Sequence, residues 1–424
     1  MERFATQFFR GVYNRMPFLS ERRFRAHLPY LYARPKADYI LLCLSISLIL
    51  QKPKNVDFDA GTMQSSLYVT IKCLISSLEA ANHSSLDFLQ ARLIVCHYEL
   101  GHGIYPAAVV SVASCAASAR ILGFEQKHFQ DRGQDASNVA RIHAAEEEKR
   151  TWWAIINVDR FIGLCAGDSH FGASDPSLDD LLPIDDTAWT ADVRSTGLTD
   201  AFDLHTPCDV QVGQFARECQ MFHIVGRLVR HVFEPAADTN FQKAEATQIA
   251  RTLNAYLPVL KLQEEEHGFY CGAFAICCSS LFLLYEASIL SGLYSPAETQ
   301  SFFAAIGDIS FQATALIQKI FETTSGPHTN EDLFSSFPPY AFYQAAVVQR
   351  RLWRQTGRLQ YREAFDKIHS VLEIFQRRWQ FAKVYVQQLD AATVEPVSTL
   401  YFACGGRALS ARGPTGDPLR PYVS

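Results

Sequence analysis

The sequence predicts an all-α protein, a multi-helix array of antiparallel helix hairpins with no sheet of consequence. Apolar residues recur at three- and four-residue spacing through most of the 424 residues, and strand-like alternation is scarce. The composition, 48% hydrophobic and 20% charged, is typical of a folded protein with a large core. Glycines that end one apolar run and precede the next indicate short turns, which bring successive helices antiparallel.

The clearest hairpin lies between residues 85 and 123. Its first helix carries one apolar face, made of Leu86, Leu89, Leu93, Cys96 and Leu100. Ser84 or Ser85 can cap this helix, and Gly101 with Gly103 can end it. Pro106 then opens an alanine-rich helix that Gly123 ends. Small side chains on the second helix would let the two helices approach closely.

Further helices are predicted over 39–51, 63–81, 138–164, 213–234, 240–263, 267–291, 296–323, 340–356 and 358–388. Residues 129–137 read as a loop, 167–186 as irregular, and 189–212 as a polar connection. This connection divides one helical region into an N-terminal part, 1–200, and a C-terminal part, 201–404. Residues 405–424 are rich in Gly, Pro and Arg, which predicts a disordered tail. The uncharged run 268–285 is predicted to be a buried core helix and not a membrane span.

Cysteine usage and charge exclude several classes of protein. The eleven cysteines include no CxxC pair, so the sequence predicts neither a disulfide framework nor a zinc site of short ligand spacing. We therefore expect no cofactor or metal in this chain. The net charge of −5 does not indicate an obligate nucleic-acid binder. Eight basic residues within 1–36 predict solvated helix faces, with a phosphate-contacting surface as the alternative.

The most informative local pattern is a long helix that is apolar almost all round. It contains Trp152-Trp153 and, one to two turns later, Asp159-Arg160. Such a helix must be buried, so its charged pair needs partners. Because adjacent helical residues point about 100° apart, we expect each to pair with another helix or a backbone end and not with its neighbour. The main interpretation is a polar network that fixes helix packing, and the alternative is a ligand-contacting pair.

This stretch resembles the signature of the fungal-specific transcription factor domain, or middle homology region, of zinc binuclear-cluster transcription factors. In that family an Arg-containing charged run leads into two tryptophans, an Asp-Arg pair, a glycine, and then a proline with acidic residues and a tryptophan. The matching positions here are Trp152, Trp153, Asp159, Arg160, Gly167, Pro183, Asp185, Asp186 and Trp189. The preceding hairpin, and the opening around Met16-Pro17-Phe18, are also similar to the family. The resemblance covers roughly residues 5–200, and we expect its residues to be structural.

The resemblance implies a nuclear regulator of transcription that is not an enzyme and that controls a metabolic or secondary-metabolite gene cluster. Family members usually carry an N-terminal cluster of six cysteines that binds two zinc ions and contacts DNA. The cysteine spacings of this chain cannot form that cluster. DNA contact is therefore expected only indirectly, or through an N-terminal cluster missing from this chain. The implied partners are a second copy, a full-length zinc-cluster factor, the transcription machinery and a small-molecule effector, with no membrane.

Three alternatives were weighed against this interpretation. A terpene-cyclase-like enzyme would need acidic motifs for magnesium, but Pro183 separates Asp179-Asp180 from Asp185-Asp186, and the segment from Asn330 fits the second motif poorly. A helical carrier of a small ligand would be consistent with the many aromatic residues. A dimerisation module for a full-length zinc-cluster protein is the third. The histidines, among them His97 and His102, are predicted to lie at the surface or to be hydrogen-bonded in the core.

Overall fold

The computed structural model describes residues 1–53, 63–127, 139–190, 202–267, 272–324 and 330–391, and within them it confirms the all-α prediction. The only extended pairing in these ranges is an isolated antiparallel bridge between Leu181 and Asp203. Single 3-10 turns span Val12–Arg15 and Glu331–Leu333. The α-helices are α1 Glu2–Arg10, α2 Glu21–His27, α3 Tyr30–Ala33, α4 Ala37–Ile49, α5 Ser66–Ala80, α6 Leu86–Gly101, α7 Tyr105–Ile121, α8 Phe124–Lys127, α9 Val139–Ala166, α10 Asp186–Thr190, α11 Gln214–Phe233, α12 Thr239–His267, α13 Gly272–Leu290, α14 Pro296–Thr324, α15 Pro338–Thr356, α16 Leu359–Phe375 and α17 Phe381–Ala391.

The predicted hairpin is formed by α6 and α7. Ser85 caps α6, since its hydroxyl accepts a hydrogen bond from the Phe88 N–H at 3.2 Å. Gly103 follows α6 with φ of +71°, a left-handed conformation that favours glycine. The apolar face of α6 is only part of what it buries, because every residue from Asp87 to Gly101 is buried. The helix lies between α4 and α7, so its polar residues need partners inside the protein.

The central helix of the C-terminal part is α13, which packs against α11, α12, α14 and α15. By length and composition it is the one described helix that could cross a membrane, but 83% of its apolar window is buried inside the protein. A core helix of a soluble protein has the same composition. The prediction that the uncharged run 268–285 forms a buried core helix is therefore confirmed for its described residues, which start at 272.

The prediction of one helix over 358–388 is wrong. The chain forms α16 and α17, and a turn over 376–380 separates them. Two buried side chains of this turn have distant partners. Arg378 donates to the Ile49 carbonyl at 2.7 Å, and the Trp379 indole N–H donates to the Phe334 carbonyl at 2.7 Å. Continuing the helix would remove both hydrogen bonds from the core.

The N- and C-terminal ends of the described chain meet in the same core. Gln7 of α1 donates to Asp332 at 3.1 Å, and the Arg15 side chain donates to the Leu333 carbonyl at 2.8 Å. One hydrophobic cluster runs from Ala5 to Leu389. The predicted loop 129–137, the predicted tail 405–424 and residues 191–201 of the predicted connection lie outside the described residues.

Candidate functional site

The signature residues gather around the second half of α9 and the loop that follows it. Trp152 and Trp153 are both buried. The Trp153 indole N–H donates to the Leu181 carbonyl at 3.1 Å, so α9 is hydrogen-bonded to the far part of its own loop. Burial of this helix was predicted from its composition, and the structure places all four aromatic and charged signature residues of α9 inside the protein.

Asp159 and Arg160 form an ion pair with each other, which corrects the expectation that neighbours on a helix would pair elsewhere. The Arg160 Nη1 lies 2.6 Å from the Asp159 Oδ2. The long guanidinium side chain folds back, and this closes the angular gap between adjacent helical positions. The expectation that these residues would also pair with backbone groups is confirmed. Asp159 accepts from the N–H groups of Gly172 at 3.2 Å and Ala173 at 2.9 Å.

Arg160 also holds the loop after α9 from the opposite side. Its Nη2 donates to the carbonyls of Ala173 at 2.9 Å and Ser174 at 3.1 Å, and to the Asp175 carboxylate at 3.0 Å. Its guanidinium lies 4.0 Å from the centre of the Phe171 ring. Burial disfavours the ionised form of Asp175, but hydrogen bonds and charge from Arg230 and Arg160 outweigh it and lower the pKa of this carboxyl.

Gly167 ends α9 with φ of +66°. A Cβ at this position would lie 3.1 Å from the Phe233 ring at the end of α11. Two residues later, the Ser169 hydroxyl donates to Glu234 at 2.7 Å. The glycine is therefore needed both for the turn and for the close approach of α11.

A second arginine, Arg150, organises the end of the same loop, and the sequence reasoning did not include it among the site residues. Its side chain is fully buried and donates to the carbonyls of Pro17 at 3.1 Å and Ile184 at 2.6 Å. It pairs with Glu146 and Asp186, each at 3.0 Å. Its position one turn before two tryptophans was the available signal of burial.

The remaining signature residues surround Arg150. Pro183 is buried in the loop, and Asp185 caps α10 by accepting from the Thr187 N–H at 2.9 Å. Asp186 accepts from the Phe215 N–H at the start of α11 at 3.1 Å. The Trp189 ring lies 5.0 Å from the Arg150 guanidinium and donates to the Tyr13 hydroxyl at 2.7 Å. The two arginines thus hold two parts of the segment 167–189 against α9, Arg160 the part around 173–175 and Arg150 the part around 184–186.

A third arginine, the half-buried Arg23, joins the N-terminal helices to α9. Arg23 of α2 donates to Glu147 at 2.8 Å and to Gln90 at 2.7 Å, and it also pairs with Asp87. The Glu147 carboxylate accepts from the Ser20 N–H at 2.8 Å as well. The expectation of a solvated basic face is therefore wrong for Arg23. Its partners are more than sixty residues away in the chain, and no local pattern could identify them.

The charged groups of the signature bind backbone and other side chains of the protein. No group of three or more His, Cys, Asp or Glu residues that could hold a metal ion occurs in the described residues. His97 and His102 are both buried. The prediction of a hydrogen-bonded core ring is confirmed for His102, whose Nδ1 accepts from the Gln380 N–H at 3.4 Å, although the Nε2 atoms of both rings lack a hydrogen bond in the described part of the chain. Burial lowers the pKa of His97 to about 4, so this ring is neutral.

The described residues thus form an all-helical fold in which buried tryptophans and arginines hold the loop after α9. The comparisons give the family. The family described as "Fungal specific transcription factor domain" matches residues 5–244, more than half of the sequence, and the chain belongs to this family. It is therefore a regulator of transcription by class.

One curated relative is Transcription factor BOA15 of Botryotinia fuckeliana (strain B05.10). The two are 33% identical over 144 residues, which cover 34% of this chain and 76% of that protein. No solved structure matches this chain. The resemblance inferred from the signature residues is confirmed, and the family match extends further along the chain than the signature does.

Proposed function

We propose that this chain is the regulatory region of a nuclear transcription regulator that controls a metabolic or secondary-metabolite gene cluster and carries out no catalysis. It reaches DNA through a zinc cluster that lies outside this sequence, either N-terminal to it or on a full-length zinc-cluster partner. Its other proposed partners are a second copy of the chain, the transcription machinery and a small-molecule effector.

The observation that carries this proposal is the fastening of segment 167–189 by Arg150 and Arg160. Burying an arginine is costly unless its charge is paired and its donors are used. Here both guanidinium groups are paired and hydrogen-bonded, and they hold a loop in one conformation against α9 and α11. A regulator that works through contacts needs such a defined surface. The family match and the printed name of the relative supply the transcriptional context.

A tethering experiment tests the proposal. Residues 1–424 are fused to a heterologous DNA-binding domain in fungal cells that carry the matching binding sites beside a reporter gene. We expect reporter transcription to change several-fold relative to the DNA-binding domain alone. Arg150→Ala should abolish the change, because it removes the cation paired with Asp186 and one of the two cations paired with Glu146. The matched control is Arg251→Ala, at an exposed position of α12, which should behave as the native chain does.

Immunoblots of each fusion separate loss of regulation from loss of protein. A fusion that accumulates in the nucleus and leaves the reporter unchanged would refute the proposal. In the native organism, deletion of the gene should change transcripts of a contiguous group of metabolic genes. Scattered changes without such a group would reject the gene-cluster part of the proposal and leave the regulator part standing.

A further inference from the structure

A cavity of about 500 Å³ lies where the ends of α11 and α13 meet the start of α12. Its walls include Phe233 at the end of α11 with Pro235 after it, and Leu290 at the end of α13 with Leu293 and Tyr294 after it. The size falls within the range of small-molecule sites, which are mostly apolar clefts with a few polar groups. Leu290 at the rim is 63% exposed, so the cavity opens to solvent on that side.

Two polar side chains of this cavity, His231 and Gln242, are already hydrogen-bonded within the protein. The His231 Nδ1 lies 2.9 Å from the Glu245 carboxylate. Gln242 accepts from the Ala236 N–H and donates to the His231 carbonyl, both at 2.9 Å. The other polar side chains that line the cavity, Thr239, Ser288, Ser291 and Tyr294, are uncharged hydroxyls. A charged ligand would therefore lie against an apolar wall without a counter-charge among these groups, which is costly. These features select an uncharged and largely apolar occupant.

One wall of the cavity is also a packing partner of the signature. Phe233 faces the cavity, and its ring is the group that a Cβ at Gly167 would meet at 3.1 Å. Glu234, the next residue, accepts the hydrogen bond of Ser169 at 2.7 Å. An occupant that contacts Phe233 therefore acts directly on the residue against which the loop after α9 is packed.

We propose that this cavity binds an uncharged, largely apolar small molecule, and that binding stabilises the conformation of segment 167–175. The role of this molecule as an effector rests on the proposed function, whereas its binding does not. A ligand that binds the ordered arrangement of Phe233 and the loop lowers the population of opened states by mass action. The loop held by Arg160 is then the part of the signature that responds to the ligand.

The test uses the purified full chain and N-phenyl-1-naphthylamine, an uncharged aromatic probe whose fluorescence rises in apolar sites. Ala236→Trp fills the cavity from the connection between α11 and α12. Leu290→Glu places a charge at the exposed rim, where the fold tolerates it. The matched control, Ala304→Trp, adds the same side chain at an exposed position of α14 outside the cavity. Thermal unfolding without probe verifies that each variant is folded.

We expect saturable binding of one probe per chain, weakened at least about tenfold by Ala236→Trp and by Leu290→Glu, since both alter the apolar wall, and unchanged by Ala304→Trp. Probe should also slow hydrogen exchange of the amides in 167–175. No saturable binding, or equal binding by all variants, would overturn the proposal. Probe binding is measured without any transcription. If the probe binds as expected but the tethered fusion leaves the reporter gene unchanged, the proposed function is rejected and the ligand site is not.

Discussion

Asp159 and Arg160 neutralise each other inside the protein and use their remaining hydrogen-bonding capacity on one loop. Asp159 accepts two loop N–H groups, and Arg160 donates to two loop carbonyls. A buried pair of this kind is a weak source of net stability, but breaking it by removing one partner is strongly destabilising. The pair therefore makes the loop conformation depend on both residues at once.

Asp159→Ala tests this dependence. It leaves Arg160 buried beside two unpaired backbone N–H groups, and we expect the free energy of unfolding to fall by about 3–5 kcal/mol in urea titrations. The control is Asp168→Ala in the same loop, where the aspartate side chain is 56% exposed. That change should stay within about 0.5 kcal/mol. Equal losses in the two variants would show that burial of the pair does not matter.

The burial of individual residues could be predicted from the sequence where it depends on the neighbouring residues of the same helix. The apolar surroundings of Trp152, Trp153 and the Asp-Arg pair were sufficient to predict burial. The partners of Arg150 and Arg23 were not predictable, because they come from Pro17, Asp186, Asp87 and Glu147 and depend on the path of the chain. The contact between Gly167 and Phe233 was likewise not predictable, since no pattern in the sequence around residue 167 indicates that residue 233 lies beside it.

At the scale of elements, the closest approach involving a glycine is between α6 and the turn before α17. A Cβ on Gly101 would lie 2.2 Å from the Trp379 ring. We expect Gly101→Ala to lower the free energy of unfolding by about 1–3 kcal/mol, because the ring is buried and cannot move aside without strain. Thermal melts provide the measurement.

The matched control for that change is Gly307→Ala within α14. A Cβ there would meet no atom closer than 3.9 Å. Alanine should be neutral or stabilising by up to about 1 kcal/mol, since it is the better helix former. A destabilisation of similar size in both variants would mean that the Trp379 contact is not the cause.

Helix α13 carries a buried glutamate that gives the protein a pH dependence. Burial raises the pKa of Glu286 to about 8 from an ordinary value of 4.5, and Arg351 opposes this only in part. A raised carboxyl pKa contributes stability below the unfolded value, and this contribution is lost as pH rises through the folded value. The relevant window is therefore pH 4.5 to 8.

We expect the stability difference between the native chain and Glu286→Gln to shift in favour of the variant from pH 5 to pH 8. The slope should be at most about 1.4 kcal/mol per pH unit. Glu363→Gln, at an exposed position of α16, serves as the control and should follow the native profile. A difference that does not vary with pH would contradict the burial of an ionisable group at position 286.

Element prediction was accurate for type and less so for boundaries. Periodicity located α9 and α11 to α15 to within a few residues, because each has a long apolar face or is apolar throughout. It could not separate α16 from α17, because the turn over 376–380 contains no glycine or proline. That break is made by tertiary hydrogen bonds of Arg378 and Trp379.

At the scale of the whole molecule, we propose that residues 1–200 and 201–404 are two parts of one regulatory region. The ion pair of Lys52 with Asp332 and the hydrogen bond from Arg378 to the Ile49 carbonyl support this, as does the hydrophobic cluster that spans the described chain. The family match ends at residue 244, which lies inside α12. The end of the match is therefore not a structural boundary.

A chain shortened to residues 1–244 tests whether the two parts fold as one unit. It would expose the face of α6 that packs on Trp379 and the carbonyl of Ile49 that accepts from Arg378. We expect it to lose cooperative thermal unfolding, measured by circular dichroism, and to be cleaved rapidly by protease. Residues 1–391, which keep every described element, should melt as the full chain does. Cooperative melting of 1–244 would instead make the matched region an independent domain.

The burial of α13 has a consequence for the synthesis of the protein. During translation this helix leaves the ribosome before α14 and α15, which later cover it. Until then it presents a segment with the length and apolar character of a membrane span. A transcript that stops shortly after residue 290 would leave that segment permanently uncovered. We therefore expect a chain that ends there to aggregate, because α14 and α15 no longer cover α13.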